Sequence, residues 1–168
     1  MDHGERTEHR AFVIAQHASH GFLLLHAEKK RKGGHFQLPG GRADRSEVET
    51  LGLEAAQVAT AARELFEETG IDLRQDSARF LPISFPPDVH ASLGTRVFFR
   101  LSIDNADSVA GGDAAPMSEE PGFVLRLSHE HNGFAFERDL LAAAEAVEKH
   151  SGGKCALALR AMAGRGGL

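Results

Sequence analysis

The chain has 168 residues, 42% of them hydrophobic and 26% charged, which fits one ordinary globular domain able to bury a core without staples. A net charge of −5 speaks against the basic surface that nucleic acid requires, so no nucleic-acid partner is expected. A small anionic substrate stays open, because bound metal ions can supply local positive charge.

The lone cysteine, Cys155, cannot form an internal disulfide and suits a reducing compartment. The first residues, MDHGERTEHR, lack the apolar stretch of a signal peptide, and the longest early apolar run, residues 22–25, is far short of a membrane span. The expectation is a cytoplasmic protein with no membrane association.

In chain order, residues 11–15 (AFVIA) and 21–26 (GFLLLH) read as buried strands joined by a hairpin over residues 17–20. Residues 29–34 (KKRKGG) form a basic loop, and residues 36–42 run into a Gly-rich turn. The strongest helical stretch is residues 53–69, stopped by Gly70. Residues 79–83 and 95–103 read as strands, and residues 104–121, rich in Asp, Gly, Ala, Ser and Pro, as a mobile loop. Residues 122–127 and 133–137 are short strand candidates. Residues 139–150 are an Ala-rich helix, residues 156–162 add a turn or two, and the tail 164–168 is expected to fray. There is no internal repeat and no interdomain linker. Residues 1–168 are therefore read as one α/β domain with a mixed sheet between helices. The sequence assigns no oligomeric state.

The segment Arg63-Glu64-Leu65-Phe66-Glu67-Glu68-Thr69-Gly70-Ile71 is the informative one. At roughly 100° per residue, Glu64, Glu67 and Glu68 share an arc of about 100° on a helix. Val58, Ala62, Leu65 and Thr69 fall on the other side. Three carboxylates on one face repel one another, and no lysine is interleaved among them. Two readings follow: a solvated acidic face, or a site for hard divalent cations that take oxygen ligands. Upstream, Pro39-Gly40-Gly41 supplies a tight turn that lets backbone approach a metal or phosphate closely.

These residues resemble the signature of the Nudix family: Gly, five residues, Glu, seven residues, then Arg-Glu-apolar-any-Glu-Glu-any-Gly-apolar. Gly41 to Glu47 matches the first part, and Arg63 to Ile71 matches every fixed position of the last. The gap from Glu47 to Arg63 departs from the pattern by eight extra residues, assigned to 48–55 as a lengthened loop. That leaves Glu49 and Glu54 as alternatives to Glu47. The resemblance implies an α/β/α sandwich and cleavage of a phosphoanhydride bond in a nucleoside diphosphate-linked small molecule. Mg²⁺, with Mn²⁺ as an alternative, is the implied cofactor. Carried over by position, Glu64, Glu67, Glu68 and the Gly40 carbonyl are implied metal ligands. Gly41 and Gly70 are structural positions of the same box, and Arg63 is the implied ion-pair partner of Glu47.

Further on, Leu125-Arg126-Leu127-Ser128-His129-Glu130-His131 resembles a stretch of those Nudix hydrolases that cut dinucleoside tetraphosphates. Glu130 would be an extra carboxylate, as ligand or base, so that Glu64 and Glu130 are the two candidate bases. His131 would touch a phosphate. Phe134 and Phe136 either stack on a base or belong to the core. Arg42 and Lys30 are candidates for holding phosphates. A solvated turn is the plain alternative for the lysine loop. The rival functions are a nucleoside triphosphate pyrophosphohydrolase, an ADP-ribose-type pyrophosphatase and a catalytically inactive binding module on the same fold. A P-loop kinase is excluded for want of a Gly-Lys-Ser/Thr motif.

Overall fold

Apolar residues alternate between two cores along the central strands. In β1 (Arg10–His17), Ala11, Val13 and Ala15 enter one core while Phe12 and Ile14 enter the other. In β2 (Gly21–Lys29), Leu23 and Leu25 join the first core, and Phe22 and Leu24 the second. A strand covered on both faces needs such a continuous apolar run. The protein is described here by a computed structural model covering residues 8–29, 33–117 and 122–165.

The remaining elements are β3 (Gly33–Gln37), β4 (Gly40–Arg42), α1 (Arg45–Leu51), α2 (Leu53–Thr69), β5 (Leu81–Pro82), α3 (Pro87–Leu93), β6 (Arg96–Ile103), β7 (Gly133–Glu137), α4 (Leu140–Ala146) and α5 (Lys154–Ala163). The sheet runs β3-β2-β1-β6-β5, with β4 paired to β1 and β7 to β2. The β1–β6 pair is parallel and the others are antiparallel, so the sheet is mixed. Helix α2 covers one face through Ala61, Ala62 and Leu65; α3, α4 and α5 cover the other through residues such as Leu93, Ala143 and Leu159. This is the α/β/α sandwich the sequence predicts.

Five segments differ from expectation. The eight inserted residues are helical, not loop: they complete α1, break at Gly52 (φ 81°) and open α2. Leu51 and Leu53 remain 50% and 43% exposed, so the insertion adds helix on the outside of the core. Residues 79–83, expected as a strand, pair with β6 only at Leu81–Pro82, and Arg79 instead ends a 3-10 turn (Ser77–Arg79). Residues 86 and 87 are both proline, which hides α3 from a pattern search, yet Pro at the first helical position is favourable. Residues 104–117 are tied down along their length. Asp104 caps a 3-10 turn at Asn105–Asp107, Val109 N–H donates to Val124 O at 2.8 Å, and Met117 N–H donates to Phe134 O at 2.7 Å. Residues 122–127 make only one isolated bridge, Leu125 to Ala114.

Candidate active site

Helical periodicity delivers the acidic face of α2 to the turn before β4. The Gly40 N–H donates to Glu68 Oε1 at 2.8 Å, which locks turn and helix together. Next to it, a Cβ on Gly41 would lie 2.5 Å from Glu64 Cδ. Glycine is required there so that the carboxylate can lie against the backbone. Gly40, Gly41, Glu64, Glu67, Glu68 and Glu130 thus line one cleft of about 730 Å³.

The second anchor of the face is Arg63. Its Nη2 donates to Glu47 Oε1 at 3.0 Å, and its Nη1 reaches Glu64 Oε1 at 3.0 Å and Glu67 Oε2 at 3.4 Å. Glu47 Oε1 also accepts from the Asp44 N–H at 3.0 Å, closing the first turn of α1. Burial raises the pKa of Glu47, but hydrogen bonds from Arg63 and Asp44 outweigh it, and the net shift is downward. The alternatives left by the insertion do not reach Arg63. Glu49 pairs with Arg45 on the surface at 3.0 Å, and Glu54 is exposed at the start of α2. Gly70 ends the helix in the left-handed region, φ 81°, as its place after the last carboxylate predicts.

Glu68 is only 6% exposed. Burial, and then the charges of Glu64, Glu130 and Glu67, push its pKa up to about 9 against the Gly40 hydrogen bond. Burial also raises Glu64, with Arg63 opposing and Glu67 and Glu130 adding. Glu130, in a turn after residue 127, is therefore within electrostatic reach of the helix carboxylates. Its N–H donates to Ser128 Oγ at 3.3 Å. His131 is buried beside Glu68, with Nε2 3.7 Å from Glu68 Oε2. Gln37 orients that ring: its Oε1 accepts from His131 Nε2 at 3.0 Å, while its Nε2 donates to His35 Nε2 at 2.7 Å.

Among the described residues, no three of these side chains converge on one point as they stand, because Glu64 and Glu67 are turned onto Arg63. The donor set nonetheless fits a hard divalent cation. It is all oxygen, it is crowded enough to resist ionisation, and the missing side chain at Gly41 lets the Glu64 carboxylate lie against the turn.

Other sequence candidates fall elsewhere. Phe134 and Phe136 are 0% and 6% exposed. Both sit in the core against Phe123, at ring separations of 6.4 and 5.4 Å, and present no face for base stacking. They follow the alternation of β7, whose inward face is the α2 side of the sheet. Arg42 does not itself line the cleft; its side chain is 61% exposed and pairs at 3.0 Å with Glu8, which does. Lys30 lies outside the described residues. Composition and motif missed Gln37, Arg10, Arg96, His150 and Ser151, which also line the cleft.

Among the described residues no helix is long and apolar enough to cross a membrane. A search of curated proteins finds no match. An Ap4A hydrolase from C. elegans, solved as a binary complex, shares the fold at a TM-score of 0.53 and 19% identity, over 95% of this chain and 97% of that one. A NUDIX hydrolase from Nitrosomonas europaea has 20% identity and a TM-score of 0.47, over 94% and 89%. A profile of the NUDIX domain matches residues 7–109, well over half of the chain. With the carboxylate face of α2, the Gly40–Gly41 turn and the Arg63 anchor in place, the chain belongs to the Nudix family of hydrolases that act on pyrophosphate bonds.

Proposed function

We propose that the chain hydrolyses dinucleoside tetraphosphates by water attack at one phosphorus. The observation that carries this reading is the position of the Ser128–His131 segment, whose sequence resembles that of tetraphosphatases. Glu130 lines the cleft with Glu64 and Glu68, and His131 is buried against Glu68. The fold shared with the C. elegans Ap4A hydrolase is consistent with it.

Glu64, Glu67, Glu68 and Glu130, with the Gly40 carbonyl, would hold divalent cations, Mg²⁺ first. Such cations supply charge neutralisation of the phosphate oxygens and a lowered pKa for a water. Arg63 keeps the acidic face in register with the Gly40–Gly41 turn. Of the two candidate bases, Glu64 is tied to Arg63, whereas the Glu130 carboxylate accepts no hydrogen bond among the described residues. Glu130 is therefore the better proton acceptor, held in place by Ser128. His131, buried and donating its Nε2–H to Gln37, would support Glu68 from behind and would not meet the phosphate.

The test compares diadenosine tetraphosphate with dATP, dGTP and ADP-ribose at equal concentration with Mg²⁺, products being separated by chromatography. The tetraphosphate should be cleaved fastest, to a nucleoside triphosphate and a monophosphate. In ¹⁸O-labelled water, one product should carry the label. Faster cleavage of a deoxynucleoside triphosphate or of ADP-ribose would reject the tetraphosphate as substrate.

A further inference from the structure

Besides the carboxylates, two arginines line the cleft. Arg10 of β1 and Arg96 of β6 are register partners in the parallel pair, so both side chains leave the same face of the sheet. Like charges placed side by side in this way are unfavourable. Arg10 is compensated by Glu8 at 3.0 Å. Arg96 is not: among the described residues no carboxylate pairs with it. It is half-buried, and neutral atoms hold it instead. Its Nε donates to Ser151 Oγ at 2.7 Å, and its Nη1 donates to Leu93 O at 3.5 Å.

The holder is itself unusual. Ser151, in the 3-10 turn His150–Gly153 between α4 and α5, has φ 53°. It is the one non-glycine residue with positive φ among those described. A left-handed serine costs free energy and persists where the surroundings over-determine it, which is common at ligand sites. Two glycines follow in the same region, at φ 62° and 82°.

An arginine that is half-buried, unpaired, pre-oriented and open to the reaction cleft is suited to a phosphate, whose planar-fork recognition is an arginine speciality. We infer that Arg96, positioned by Ser151, is a second anion-binding point that takes a substrate phosphate lying beyond the diphosphate engaged by the carboxylates. It would make the enzyme select for polyphosphate length. This rests on the reading of the cleft as a phosphoanhydride-cleaving site.

The experiment compares wild type with Arg96→Ala, Arg96→Lys and Ser151→Ala on diadenosine tetraphosphate and on ADP-ribose, which has only the diphosphate. Removing one charge-assisted contact should raise KM for the tetraphosphate about tenfold or more and leave that for ADP-ribose nearly unchanged. Arg96→Lys should fall between, and Ser151→Ala should share the length-dependent defect in milder form. In parallel, the uncleavable methylene-bridged analogue of diadenosine tetraphosphate is titrated by calorimetry with Mg²⁺ present, after thermal melts confirm that each variant is folded. Arg96→Ala should bind it about tenfold more weakly than wild type does. An equal change for both substrates, no change for either, or unaltered analogue binding would overturn the inference. If wild type cleaves neither substrate, the proposed activity fails, and the titration alone decides on Arg96. Should Arg96→Ala be unfolded, Arg96→Lys carries the comparison, and its indifference to chain length would count against the site.

Discussion

An added methyl at Gly41 would lie 2.5 Å from Glu64 Cδ, and the helix cannot retreat because Gly40 is bonded to Glu68. Gly41→Ala should therefore leave the fold intact but displace Glu64, lowering turnover about a hundredfold, the usual effect of a shift near 1 Å in a catalytic group. Wild-type turnover in that variant would show that the contact with Gly41 is not needed. Glu68 gives the complementary case. It is buried among like charges and costs stability whenever it is ionised, so Glu68→Gln, which keeps the acceptor for the Gly40 N–H, should melt at the same temperature or higher. Its turnover should fall by about two orders of magnitude or more, as for other lost electrostatic groups. A lower melting temperature with turnover retained would remove Glu68 from the proposed site. These glutamates were legible in the sequence because helical periodicity alone puts them on one face. Gln37 and Arg96 were not, because strand register and a distant turn bring them to the cleft.

At the scale of elements, the insertion divides its work between a functional end and a bare one. Glu47 joins α1 to α2 through Arg63, whereas Leu51 and Leu53 face solvent. Glu47→Ala should cost about 1–2 kcal/mol by removing this partner from a partly buried guanidinium. It should also reduce turnover, since Arg63 would lose its hold on the register of the acidic face. Leu51→Ser with Leu53→Ser should change stability by no more than about 0.5 kcal/mol. Denaturant melts of both variants would settle the contrast, and equal losses would mean that the exposed leucines pack after all. A second tie links the turn after α2 to the turn after β6: Arg79 grips Asp107 through Nη1 and Nη2 at 3.1 and 3.0 Å. Burial opposes ionisation of Asp107, but hydrogen bonds from Arg79 and Asp104 prevail, holding its pKa below 3.8. A depressed acid stabilises the fold above its unfolded pKa and loses that contribution as pH falls through the folded value. Asp107→Asn should thus cost about 1–3 kcal/mol near neutrality, and the gap to wild type should close below 3.8. A gap independent of pH would mean that the pair contributes by shape and not by charge. This tie, with the backbone bonds of Val109 and Met117, pins residues 104–117 although their composition reads as loop. Composition reports the polarity of a segment, but not whether an arginine elsewhere in the chain fastens it.

Across the whole molecule, the sheet separates two cores that share its strands, and their coupling can be measured. Phe134 lies in the core on the α2 side, and Cys155, the only cysteine, lies fully buried in the core on the α4–α5 side. Burial pushes the Cys155 thiol up, so it is both shielded and unreactive while the fold is closed. Phe134→Ala should cost about 3–5 kcal/mol through the cavity it leaves against Phe123 and Phe136. If the strands between the cores make the domain open as one unit, this variant should alkylate at Cys155 about a hundredfold faster or more in native buffer, in proportion to its lost stability. Its KM should move little, because Phe134 has no exposed face with which to meet substrate. Labelling at the wild-type rate, with denaturant stability reduced as expected, would mean instead that the two layers open independently. The active-site cleft would then straddle a mechanical boundary, with the carboxylates of α2 on one layer and Ser151 and Arg96 against the other. Coupled opening would instead make the distance between those two walls a fixed property of the sheet, as selection by phosphate-chain length requires.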